Sequence, residues 1–212
     1  MMMGEFIMRK IWNCLWVMSF LTAFAIADIK FTYTWKSPEA QPVAFAGKKV
    51  TVLLITSDRA GRRAVEDALA REITKRGAEG IPSSEIITET DLKNPDAVKA
   101  KFKEAGVAGV MVIRATPQTG EAVDPNMWRD PIYKDVWGFM SRSWLSVPPE
   151  IRKDVKFRVE ISIYSVEQDQ AIWIGTTEMV STTLPEFIQG IIDEIAEEMQ
   201  KADLLANRPN TN

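Results

Sequence analysis

Two stretches of the chain carry residues whose types and spacing could do chemistry. Ser57-Asp58-Arg59-Ala60-Gly61-Arg62-Arg63 joins a short apolar run to an amphipathic one, where free backbone N–H groups of a helix N-terminus and arginines such as Arg59 and Arg62 could hold an anion. It has neither the glycine-lysine pattern of a phosphate loop nor the three-glycine dinucleotide pattern. The other reading is a capped helix flanked by solvated arginines. The second stretch, 116–150, gathers Trp128, Tyr133, Trp137, Phe139, Met140 and Trp144 among Arg129, Asp130, Lys134, Asp135 and Arg142. Rings give large contact area at low entropic cost, and aromatic residues with arginine are what binding hot spots use. Such a loop is either a docking lobe for a partner or ligand, or a satellite core that pins itself to the domain.

Other chemistries lack their residues. With His 0 there is no Ser-His-Asp or Cys-His arrangement, no histidine general base and no histidine-containing zinc site. No nucleophile-elbow serine, Ser-x-x-Lys or EF-hand pattern occurs. Carboxylate neighbours such as Glu66-Asp67, Asp193-Glu194 and Glu197-Glu198 fall on the polar faces expected of helices, where charges are solvated. The expectation is therefore no catalytic residue, no metal and no cofactor.

The elements that must position these residues follow from periodicity. Hydrophobic content of 46% and charged content of 26% over 212 residues describe a globular chain able to bury one core. Lys48 to Thr56 reads as a buried strand, and 62–76 as a helix on Val65, Leu69 and Ile73, capped by Ser57 or Asp58 and closed by Gly77. A short strand is expected near Ile81 to Ile87, with Pro82 marking an edge or irregular start. Asn94-Pro95 opens a helix that Gly106 closes, and Val107 to Ala115 is a further buried strand.

Beyond the long loop, 155–166 alternates: Val155, Phe157, Val159, Ile161 and Ile163 on one face, Lys156, Arg158, Glu160 and Ser162 on the other. This predicts a half-buried antiparallel strand with an exposed polar side, returning through Glu167-Gln168-Asp169-Gln170 into Ala171 to Val180. Thr183 to Glu186 matches a capping box for a last helix running to about Leu205, striped by Leu184, Ile188, Ile191, Ile195 and Met199. The expectation is a single α/β (α+β) domain with a mixed sheet, in the order β-α-β-α-β, long loop, β-β-α.

At the N-terminus, Arg9 and Lys10 precede an apolar run from Ile11 to Ala27 that ends in Ala25-Ile26-Ala27. That layout predicts a secretory signal peptide over 1–27, cleaved after Ala27, and a periplasmic protein. The alternative is an uncleaved segment anchoring the chain in the inner membrane. Residues 28–46 then form an extended lead-in with alternating Phe31-Thr32-Tyr33-Thr34-Trp35, 47–205 the domain, and 206–212 a polar tail. Cleavage takes away Glu5, Arg9, Lys10 and the single cysteine, Cys14, so the net charge of -3 becomes -4 and no thiol remains. An acidic chain of this kind offers no electrostatic case for nucleic acid.

Gly47-Lys48-Lys49-Val50-Thr51-Val52-Leu53-Leu54-Ile55, the helix end Arg76-Gly77, the strand Gly106 to Val112, and Ile163-Tyr164-Ser165 through Ile172-Trp173 before an acidic helix resemble small bacterial envelope proteins of unknown function, many of them lipoproteins. The order of elements is similar to the anticodon-binding-like α/β domain of the curli-secretion lipoprotein, the outer-membrane activator of penicillin-binding proteins and the N-terminal domain of the Tol-Pal translocation protein. The resemblance covers 47–205. It implies a non-enzymatic periplasmic domain that binds an envelope protein partner, with no catalytic residues to carry over and no stated oligomeric state. The chain departs from it in two ways: Cys14 follows Ile11-Trp12-Asn13 rather than a lipobox, and the loop 116–150 has no counterpart. The alternative function is a small-ligand or anion-binding protein, or an enzyme, using Arg59, Arg62 and that loop.

Overall fold

A computed structural model describes residues 30–41, 44–117, 156–180 and 184–205. In chain order these form β1 (Phe31–Lys36), β2 (Lys49–Ile55), α1 (Arg59–Lys75), β3 (Glu79–Pro82), α2 (Pro95–Glu104), β4 (Val107–Pro117), β5 (Lys156–Ser165), β6 (Gln170–Val180) and α3 (Leu184–Lys201). The strands make one mixed sheet in the order β1-β6-β5-β4-β2-β3, with β2 parallel to both β3 and β4 and the remaining pairs antiparallel. This is the expected α/β class.

The two faces of the sheet bury two separate cores. Val50, Val52 and Leu54 of β2 point to one face, where Val65, Leu69 and Ile73 of α1 and Ile191, Ile195 and Met199 of α3 cover them. The alternate residues Leu53 and Ile55 point to the other, under Val98 and Phe102 of α2. A strand with cover on both sides is apolar over most of its length, and this is why Val52 to Ile55 of β2 and Val110 to Ile113 of β4 read as apolar runs.

Helix ends follow local chemistry. Asp58 caps α1 by accepting from the Ala60 N–H at 3.0 Å, and Asn94 caps α2 by accepting from the Ala97 N–H at 3.3 Å, with Pro95 at the first helical position. Gly77 and Gly106 follow the two helices at φ 87 and φ 70, a left-handed turn that costs a residue without Cβ little. The last helix stops at Lys201 rather than near Leu205; Leu204 folds back, its N–H donating to the Met199 carbonyl at 2.9 Å, and with Leu205 fills the first core.

Three expectations gain detail or are corrected. The extended lead-in adds a strand to the expected order: Phe31–Lys36 is β1, an edge strand on β6. The Phe31 ring meets Trp173 edge-on at 5.4 Å, and Gly175 leaves the room, since a Cβ there would lie 2.5 Å from the Phe31 ring. The second short strand ends at Pro82 instead of starting there, and Ser83–Glu85 continues as a 3-10 turn.

The third correction concerns β5. It is an interior strand, between β4 and β6, and its polar side is not exposed: Glu160 and Ser162 are buried and Arg158 is half-buried. Arg114 on β4 pairs across the sheet with Glu160, and Arg158 with Glu178 on β6 at 3.7 Å. Alternation therefore marks the change of face in this strand, not the change from core to solvent.

Candidate functional site: the crevice at the carboxyl end of β2

The strand order places β2 between β3 and β4, with α1 on one face and α2 on the other. The chain leaves β2 towards α1 on one face and leaves its parallel neighbour β3 towards α2 on the other, and connections that diverge in this way open a crevice at the strands' carboxyl ends, where open α/β sheets bind ligands. Here the crevice is a cavity of about 430 Å³ lined by Thr56, Ser57, Arg59, Arg62, Glu89, Leu92 and Lys93. Both arginines singled out in the sequence, Arg59 and Arg62, thus meet at one place.

Their environments differ. Arg59 is 81% exposed and its guanidinium donates to both carboxylate oxygens of Glu89, a pair at the cavity mouth. Exposed pairs of this kind are each worth about 0–1 kcal/mol. Arg62 is buried: its Nε donates to Oε1 of Glu66 at 2.8 Å and its Nη2 to the Ser83 hydroxyl at 2.8 Å. Arg62 is held as part of the structure, and its charge is already balanced where it touches the cavity.

Glu66 corrects the expectation of a solvated carboxylate. It is fully buried and accepts four donors: Arg62, the Ser83 hydroxyl at 2.8 Å, the Leu54 N–H at 3.1 Å and, on its other oxygen, the Ser84 N–H at 3.1 Å. Burying a carboxylate is tolerable when its oxygens are satisfied in this way. One side chain thereby ties α1 to β2 and to the turn after β3. The sequence did hold a cue: Arg62 and Glu66 stand four apart and continue into the Leu69 and Ile73 stripe, so their face is the inward one.

The far wall of the crevice is fixed by Asp91. Its Oδ2 accepts from Lys101 Nζ, the Thr88 hydroxyl and the Thr88 N–H, each at 2.7 Å. The hydrogen bond from Lys101, and then those from Thr88, hold the carboxyl down from the ordinary 3.8 to about 2. This clasp fastens the segment carrying Glu89, Leu92 and Lys93 onto α2.

The arrangement gathers the hydroxyl residues Thr56 and Ser57, the Arg59–Glu89 pair and Lys93 around one cavity. Among the described residues, no group of three His, Cys, Asp or Glu is placed to hold a metal. Trp128, Tyr133, Trp137, Phe139, Arg142 and Trp144 lie outside the described residues, as does the apolar run Ile11 to Ala27. Among the described residues no helix is long and apolar enough to cross a membrane.

No family model matches the chain, and no curated protein does. Among solved structures it is similar to the PelC dodecamer of Paraburkholderia phytofirmans, at 13% identity and a TM-score of 0.44 over 82% of this chain and 96% of that one. It is also similar to TolB of Acinetobacter baumannii, at 9% and 0.36 over 80% of this chain and 31% of that one. A third is a lipoprotein of Neisseria meningitidis, at 10% and 0.39 over 72% of this chain and 99% of that one. At these identities no residue takes a role from these structures.

Proposed function

We propose that this chain is an exported domain of the bacterial cell envelope that works by binding another envelope protein rather than by catalysis. Export rests on the N-terminal layout: a basic pair, an apolar run and Ala25-Ile26-Ala27. The non-enzymatic part rests on the crevice, where Arg62 is engaged by Glu66 and Ser83 and Arg59 by Glu89.

One observation carries the binding role. β4 and β5 are antiparallel neighbours, with Pro117 opposite Phe157, and a turn of about two to five residues would join them. The chain instead spends residues 118–155 there, including Trp128, Tyr133, Trp137, Phe139, Arg142 and Trp144. Connectivity does not need that length, and an insertion so rich in rings fits a docking lobe.

The experiment is photo-crosslinking in intact cells, comparing the wild type with Trp137→Ala/Trp144→Ala and reading crosslinked mass and melting temperature together. The proposal expects loss of a discrete crosslinked species with Tm unchanged. A steep fall in Tm would assign the rings to a satellite core, and an undiminished crosslink would remove them from the contact; either overturns the proposed surface.

A further inference from the structure

We draw no further inference here: the strongest candidate, the cavity at the carboxyl end of β2 beside the N-terminus of α1, belongs to the site already described and combines a helix N-terminus with arginines already engaged by Glu89 and Glu66, with no second feature that points to a ligand.

Discussion

Arg62 and Glu66 stand one helical turn apart on α1, with Nε donating to Oε1 at 2.8 Å, and both are buried at the junction of α1, β2 and the turn after β3. A pair in that position is a fastener whose two halves are unequal. Glu66 serves four donors from three segments, whereas Arg62 serves Glu66 and Ser83.

Glu66→Ala strands a buried guanidinium, a hydroxyl and two backbone N–H groups, and breaking one side of a buried pair costs about 3–5 kcal/mol. Arg62→Ala costs less, because the carboxylate keeps Ser83, Leu54 and Ser84 as donors. Urea unfolding of both variants checks the order. Equal losses would mean that the backbone contacts of Glu66 contribute nothing.

Gly80→Ala tests how closely α1 lies on β3. A Cβ at this position would fall 2.0 Å from the Ala70 carbonyl oxygen, a backbone atom, so the helix or the edge strand must move. Overpacking of this kind costs about 1–3 kcal/mol. The Tm of the variant should fall while the far-UV circular dichroism at 20 °C, roughly room temperature, is retained. An unchanged Tm would show that the edge strand yields without loss.

Acid sensitivity should trace to Asp91. Its carboxyl is lowered in the folded state from 3.8 to about 2, so the folded form binds the proton less readily than the unfolded chain. The stability it contributes is present above the unfolded value and is lost as pH falls through the folded one. Asp91→Asn should therefore be less stable than the wild type at pH near 6, with the difference fading as pH drops from about 4 towards 2. A difference independent of pH would place the effect elsewhere.

Inorganic phosphate titrated into the protein should leave Tm unchanged, because the guanidiniums lining the crevice already face carboxylates. A saturable rise that Arg59→Ala abolishes would favour the ligand-binding alternative over a pure interaction module.

Much of this architecture is readable in the chain itself, because it depends on interactions between near neighbours. Asn94-Pro95, Asp58 and the two glycines after α1 and α2 set helix ends through contacts within a few residues. The apolar runs Val52 to Ile55 in β2 and Val110 to Ile113 in β4 declare strands covered on both faces, and the alternation of β5 declares its direction change at each residue. Arg59 and Arg62 could be placed at a helix start for the same reason.

What tertiary structure alone decided concerns partners distant in the chain. Phe31 lies in an edge strand paired along β6, where Trp173 and Gly175, far along the sequence, offer a ring and a gap. Glu160 is buried because Arg114 stands opposite it on β4, and Glu66 because Leu54, Ser83 and Ser84 converge on its oxygens. Polarity patterns record which side of an element a residue occupies. Whether that side faces water or a paired charge depends on what the fold brings against it, since a carboxylate whose oxygens are satisfied can be buried and one without partners cannot.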